Sequence, residues 1–358
     1  MNYSCICCGE CCRNWEIAID KGKLEYLRQE PVLNEYFRKI RGRQTQDKYR
    51  MKVGQGGCVF QDDDHLCSIQ KKLGFNAKPA PCKRFPYILT STPGGIIVGL
   101  SYVCTAVQQN IGNPLSQQGP TLDELEFISD HDLSQQKSFI FFKDLELNWE
   151  TYLVFEKSVL KNLKRPQKTP SACMNHIMLC TRGFYELLKK TGTNSKEKAR
   201  VTCENLDTIK NFRDGEYSDW RNLYATGFVS KFLQNMPEET QEVVADEELY
   251  IKLLVFRKRQ KKDKVIIPDE ISDFFKNYLY HVVWRKFLII GNQLLLNLIL
   301  MDILANSMEL YFLVLTNSFS KTEALKKVII ASEKIFHHSN LNLIEDYLNN
   351  AANSFIHN

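Results

Sequence analysis

The sequence has no apolar run that is both long and unbroken. Phe287 to Leu304 comes nearest, and Asn292, Gln293, Asn297 and Asp302 interrupt it. A membrane span needs about 20 mostly apolar residues, and an aspartate in mid-bilayer is costly. The stretch therefore reads as a buried core helix, and no membrane span is expected. Met1-Asn2-Tyr3-Ser4 carries no charged leader followed by an apolar core, so a reducing, cytoplasmic setting is expected. No G-x-G-x-x-G or Walker loop follows a strand pattern, which argues against a Rossmann-type or other nucleotide site. The C-x-x-x-C-x-x-C spacing of radical enzymes is missing, and no Ser-His-Asp or Cys-His arrangement is visible. Charge of one sign is lacking too. The 47 basic residues stand against 42 acidic ones, and the net charge of +5 permits an anionic partner without demanding one. The densest basic run, Arg257 to Lys264, has no interleaved aromatic residue. It reads as a solvated helix end, so no nucleic-acid partner is expected.

Cysteine is abundant and unevenly placed. Nine of the 12 fall between Cys5 and Cys104, and Cys173, Cys180 and Cys203 lie beyond. A disulfide scaffold is usually a short secreted chain, whereas thiols gathered at one end of 358 residues favour metal binding or redox chemistry. Cys5, Cys8 and Cys11 repeat every three residues, the tight run that wraps an iron–sulfur cluster. Cys12 adjoins Cys11, so their side chains are expected to diverge. Cys58, Cys67, Cys82 and Cys104 form a second group. With Cys7 set aside, eight candidate metal ligands remain: Cys5, Cys8, Cys11, Cys12, Cys58, Cys67, Cys82 and Cys104. They suffice for two four-thiolate sites or for one site with spares. Soft thiolates select zinc or an iron–sulfur cluster, such as 4Fe–4S, over magnesium or calcium. Lys83 and Arg84, beside Cys82, can offset the negative charge of such a centre or hold a ligand carboxylate. Asp62-Asp63-Asp64-His65 reads as a solvated turn. Cys173 and Cys180, seven apart on one helical face, read as core packing.

The chain divides into a cysteine-cluster region at 1–115, a helical bridge at 116–168 and a helical domain at 169–358. The fold class is mainly α, with short helices, loops and one β-hairpin in the first part. Tyr87 to Thr90 and Ile96 to Leu100 flank a Pro93-Gly94-Gly95 turn signal, and pairing centred there sets residue 82 opposite residue 105, which brings Cys82 close to Cys104. Helices are expected at 171–190, 241–258, 270–287, 288–307, 308–319, 321–336 and 341–352. Thr121 and Glu124 have the spacing of a capping box.

The pattern C-x-x-C-G-x-C-C, met as Cys5, Cys8, Gly9, Cys11 and Cys12, is followed in order by three further motifs. These are Gly57-Cys58-x-Phe60, Cys67-x-Ile69 and Pro81-Cys82-x-Arg84-Phe85-Pro86. As a set they resemble the YkgJ-type cysteine-cluster family of zinc- or iron-chelating proteins. Trp15-x-Ile17-x-Ile19-Asp20-Lys21, with Phe274 to Tyr280 and Trp284-Arg285-Lys286-Phe287, is similar to that family's flagellin lysine-N-methylase branch. The narrower resemblance implies methylation of lysine side chains on a protein partner, using S-adenosylmethionine and an iron–sulfur cluster. On that reading Asp20 and Glu16 would orient or deprotonate the lysine, and Lys83 and Arg84 would receive the cofactor carboxylate. Arg84-Phe85-Pro86 fits the broad family better than the branch. The alternative function is a non-catalytic metal-binding or electron-transfer module with a helical partner-binding domain.

Overall fold

A computed structural model describes residues 1–12, 17–33, 36, 44–45, 48–51, 58–115, 130–166, 168–191, 267–338 and 342–357. Trp15, Glu16, the Thr121 cap, Cys203, the expected helix at 241–258 and the basic run at 257–264 lie outside these residues. The described residues are mainly helical, with short strands concentrated before residue 149. They divide into two compact units: Met1–Leu89 with Val98–Asp130, and Thr90–Ile97 with His131–Asn358.

In the first unit, strand β1 (Asn2–Tyr3) pairs with β7 (Asn113–Pro114). Strand β2 (Ile17–Asp20) joins an antiparallel sheet with β4 (Lys48–Met51) and β3 (Gln44–Thr45). Helix α1 (Lys21–Gln29) follows β2 directly. Asp20 marks the join: its carboxylate accepts the Lys23 N–H at 2.7 Å and satisfies one of the orphan donors of the first turn. Leu24 and Leu27, three apart, bury the inner face of α1. They meet Ile19, Leu33, Phe60, Ile69 and Ala77 in one small apolar cluster. The short helices α2 (Ser68–Leu73), α3 (Ala80–Arg84) and α4 (Thr105–Gln108) complete the unit.

The hairpin forms as expected, from β5 (Tyr87–Thr92) and β6 (Gly95–Leu100). Gly95 takes φ +112 at its turn, a backbone conformation that side chains with a Cβ rarely adopt. Within the second unit, the short strand β8 (His131–Asp132) runs parallel to β5 at Thr90 and Ser91.

Among its described residues, the stretch read as a helical bridge is helical only from Trp149. Before it, β9 (Ser138–Phe142) and β10 (Leu145–Asn148) form a second hairpin. Its signal is the two-residue period of Phe139 and Phe141, both fully buried, and period two belongs to strands. Helix α5 (Trp149–Leu163) starts at Asn148, whose side chain accepts the Thr151 N–H at 2.9 Å. Helix α6 (Pro170–Thr191) buries Cys173, Met174, Ile177 and Phe184. Around Phe141, the rings of Phe155, Phe184 and Tyr185 pack at 5.8 to 6.2 Å.

Helix α7 (Asp269–Trp284) leads to a 3-10 segment, Phe287–Asn292. One continuous helix then follows, α8 (Leu294–Leu315), where two were expected with a break at 307. Ser307 does not break it, because its hydroxyl bonds back to the Ile303 carbonyl at 2.9 Å. Helix α8 is long and apolar enough to cross a membrane, yet 78% of its apolar window is buried inside the fold. It packs against α6, α7, α9 (Lys321–His338) and α10 (Asn342–His357). The polar residues that interrupt the apolar run have structural work. Asn297 donates to the carbonyls of Phe287, Leu288 and Ile290 at 2.8 to 3.1 Å, and Asn292 accepts the Ile140 N–H at 2.8 Å. Asn297 thereby satisfies carbonyls of the irregular 287–292 segment, and Asn292 satisfies a backbone N–H of strand β9.

Candidate metal centre

The N-terminal cysteine run is held by its backbone. Cys12 N–H reaches the Gly9 carbonyl at 2.9 Å, closing a single 3-10 turn over Glu10–Cys12. Gly9 sits at φ +70, where a Cβ would overlap Gln61 Nε2 and fall 2.7 Å from the His65 carbonyl oxygen. Only glycine fits there. Gln61 Nε2 donates to the carbonyls of Gly9 at 3.1 Å and His65 at 3.2 Å, which fastens the run to the 58–67 loop. The Cys58 N–H donates to the Cys12 carbonyl at 2.8 Å. Gln61 was not among the expected functional residues, since nothing in its local sequence marks a side chain that bridges 52 positions.

The Asp62 to His65 segment is the expected turn. Asp62 accepts the Leu66 N–H at 2.9 Å, and Lys71 pairs with Asp62 and Asp64. His65 is exposed at the turn, with φ +63.

Cys58, Cys67 and Cys82 come from three separate elements and pack against the same apolar cluster. Cys67 precedes α2, and Cys82 lies within α3. Burial pushes the Cys82 thiol up to about 12, with Cys58 and Cys67 adding repulsion. Burial likewise pushes Cys58 up to about 11, with Cys67 and Cys11 adding to it. Cys104, which starts α4, rises to about 11 through burial and the charges of Cys11 and Cys8. The Cys11 thiol is held far above its usual range by its contact with Cys12, then by burial. Their sulfurs lie 3.9 Å apart. The expected divergence of this pair is therefore not seen, because the 3-10 turn folds the two side chains toward each other.

Among the described residues, no three Cys, His, Asp or Glu side chains close tightly on a single point. The thiols are spread over the N-terminal run, the 58–67 loop, α3 and the start of α4. Their chemistry fits a thiolate-held metal: sulfur acts on sulfur, and buried thiols stay protonated until a cation offsets their charge. Metal binding there is coupled to proton release.

The hairpin aligns Pro86 with Ser101, whose N–H bonds to the Pro86 carbonyl at 2.7 Å. That register is the one expected. Cys82 packs against the cluster that also holds Cys58 and Cys67, and Cys104 opens α4. Lys83 is buried. Arg84 pairs with Asp130 at 3.3 Å, and Asp130 also accepts the Leu89 N–H at 2.8 Å. The cation whose field reaches the thiols of Cys11 and Cys82 is Lys78. It was missed, although it lies four residues before Cys82. Asp20 is exposed and caps α1. Cys173 and Cys180 are buried in α6 of the other unit.

Residues 4–108 match a family model, CxxCxxCC, described as "Putative zinc- or iron-chelating domain". The N-terminal third matches a chelating-domain family. An uncharacterized protein of Methanocaldococcus jannaschii is 24% identical over 160 residues, 42% of this chain and 55% of that one. A lysine-N-methylase of Salmonella choleraesuis is 25% identical over 122 residues, 31% of this chain and 30% of the relative. The flagellar biosynthetic protein FliU of Salmonella muenchen is 25% identical over 122 residues and is covered to 72%. The matched stretch thus spans about half of the archaeal relative and under a third of the methylase. No solved structure matches the chain significantly.

Proposed function

We propose that the protein holds a thiolate-bound metal centre, iron–sulfur or zinc, in its first unit and serves S-adenosylmethionine-dependent methylation of lysine side chains on a protein partner. The observation that carries the metal reading is the convergence of Cys58, Cys67 and Cys82, from three elements, on one apolar cluster beside Cys11. Thiols grouped in this way would repel one another on ionising, and a bound metal would offset that charge beyond what Lys78 supplies. The methylation reading is supported by the names of the lysine-N-methylase relatives.

In the transfer, the lysine ammonium first gives up a proton so that its nitrogen lone pair is free. That nitrogen attacks the methyl carbon, the new N–C bond forms, and the sulfonium C–S bond breaks, leaving a neutral thioether. Asp20, exposed at the start of α1, and Glu16 are the carboxylates proposed to take the proton. Lys83 and Arg84 are the cations proposed for the cofactor carboxylate. Arg84 would then exchange its Asp130 partner for the ligand.

The test begins with anaerobic purification, metal and sulfide analysis, and absorption spectroscopy, followed by titration with S-adenosylmethionine. Loaded protein, incubated with the cofactor and an extract of its own source cells, should add single-methyl mass increments to lysines of an extract protein. Cys8→Ser should abolish this and Arg84→Ala should weaken it. Methylation unchanged in Cys8→Ser would remove the metal centre from the reaction. Metal-loaded protein that neither binds the cofactor nor modifies any lysine would leave a non-catalytic binding or electron-transfer module as the function.

A further inference from the structure

We propose that Cys11 and Cys12 form a redox modification site: a hydroperoxide joins the two neighbouring thiols in a reversible disulfide, and its closure loosens the N-terminal run from the 58–67 loop. The link itself needs no metal. Its bearing on metal binding rests on the reading above, because both sulfurs are among the proposed ligands.

The geometry carries the site. The sulfurs of Cys11 and Cys12 lie 3.9 Å apart, and a disulfide bond brings them to about 2 Å. The turn Glu10–Cys12 folds the two side chains toward each other, and three hydrogen bonds hold that turn. Cys12 N–H donates to the Gly9 carbonyl at 2.9 Å, and Cys58 N–H donates to the Cys12 carbonyl at 2.8 Å. Gln61 Nε2 adds a bond to the Gly9 carbonyl at 3.1 Å. Cys11 is an exposed residue and Cys12 a half-buried one, so a small oxidant in solution can reach the pair.

The oxidant is the one co-reactant required. One sulfur, as its thiolate, attacks an oxygen of the hydroperoxide. The S–O bond forms, the O–O bond breaks, and water or an alcohol leaves behind a sulfenic acid. The neighbouring sulfur then attacks this sulfur. The S–S bond forms, the S–O bond breaks, and the oxygen departs as water with the second thiol's proton. The two thiols give up two electrons and the peroxide takes them.

Reversibility follows from adjacency. The peptide between the two residues holds their Cα atoms about 3.8 Å apart, below the roughly 4.4 Å at which ordinary disulfides begin. The ring therefore closes under strain, and strained disulfides are the readily reduced ones. That strain falls on Cys12, whose N–H and carbonyl are the groups bonded to Gly9 and Cys58. Cys5 and Cys7 are a second exposed pair, with the Cys7 N–H 3.4 Å from the Cys5 sulfur, and no 3-10 turn holds them as one holds Cys11 and Cys12.

The full chain is purified under argon and given one equivalent of hydrogen peroxide. Free thiols are then alkylated, and the digest is mapped by mass spectrometry. The expected peptide carries Cys11 and Cys12 unalkylated and lighter by two hydrogens, and glutathione should restore both thiols. Hydrogen exchange at the Cys12 and Cys58 amides should speed up in the oxidised chain, and any bound metal should leave in proportion to the link. Cys12→Ser should abolish the link and Cys7→Ser should keep it; the unaltered chain serves alone if the first variant does not fold. Cys11 and Cys12 still alkylated after peroxide, joined to other cysteines, or spared while Cys5 and Cys7 link, overturn the site whatever the metal content. Unchanged exchange at the two amides overturns the loosening. A chain that closes the link but never binds metal overturns the metal reading and leaves the site standing.

Discussion

Nine cysteines lie in the first unit at partly exposed or semi-buried positions, apart from any regular apolar repeat, whereas Cys173 and Cys180 lie buried on one face of a 22-residue helix in the second. The same side chain serves opposite ends. In α6 the thiol is a small apolar group filling a core. In the first unit, short elements and one small apolar cluster leave the thiols as the groups that a metal can tie together. Small domains with little core commonly depend on such a staple. The second unit carries its own core of long helices and stacked rings, and also encloses charge. Arg285 pairs with Glu333 at 3.1 Å, and Lys286 pairs with Glu156, all four side chains being buried. Lys286 lies within 6 Å of the rings of Trp149, Tyr152 and Trp284.

The sharpest way to test this contrast is to remove the metal. Structural zinc in small domains contributes on the order of 10 kcal/mol to folding, so a chelator should release hydrogen-exchange protection in α1 and α2. Helix α8 should keep its protection. Equal loss in both units would erase the distinction.

The next effect belongs to the second unit alone. Lys286→Met leaves the Glu156 carboxylate buried without its cation and should cost about 3–5 kcal/mol. The double variant Lys286→Met/Glu156→Leu should recover much of that. Metal content should not change in either. Burial raises the Glu156 pKa above its ordinary 4.5, even against the pull of Lys286 and Tyr152. The folded state therefore holds its proton more tightly than the unfolded one. This group's contribution is full below pH 4.5 and is lost as pH rises through the folded value. Denaturant melts across that window should show the decline in the unaltered chain and not in Glu156→Gln.

A smaller effect separates the two kinds of cysteine. Cys173→Ser buries a hydroxyl in α6 and should cost about 1–3 kcal/mol while leaving metal content untouched. Metal lost from that variant would tie Cys173 to the metal centre and end the contrast.

The smallest change tests a single carboxylate. Asp20→Ala removes the α1 cap and should cost about 0.5–2 kcal/mol, whereas Asp20→Asn keeps a capping oxygen and should be nearly neutral. If Asp20 also takes the proton from a substrate lysine, Asp20→Asn abolishes methylation at unchanged stability. Retained activity confines Asp20 to the cap.

Much of this was readable from local pattern. The three-residue spacing of Cys5, Cys8 and Cys11, the Pro93-Gly94 turn, the helical period of Cys173, Ile177, Cys180 and Phe184, and the polar interruptions of the 287–304 run each fix a local feature. They do so because neighbours in sequence are bound by backbone geometry. The 138–148 hairpin was legible too, in the alternation of Phe139 and Phe141, but the capping signal at Thr121 drew the whole segment toward helix.

The sequence by itself determined the donor chemistry: soft sulfur gathered at one end of the chain, with a helical remainder. Only the tertiary structure decided which thiols are neighbours. Cys82 joins Cys58 and Cys67, Cys104 feels Cys8 and Cys11, and Cys11 and Cys12 converge. Packing alone revealed that Lys78 lies where its charge acts on Cys11 and Cys82, that Gln61 holds the Gly9 turn, and that Arg84 is engaged by Asp130. Spacing constrains residues a few positions apart, but groups 40 or 50 positions apart meet only where the burial of shared apolar surface brings them, and that is a property of the packed chain.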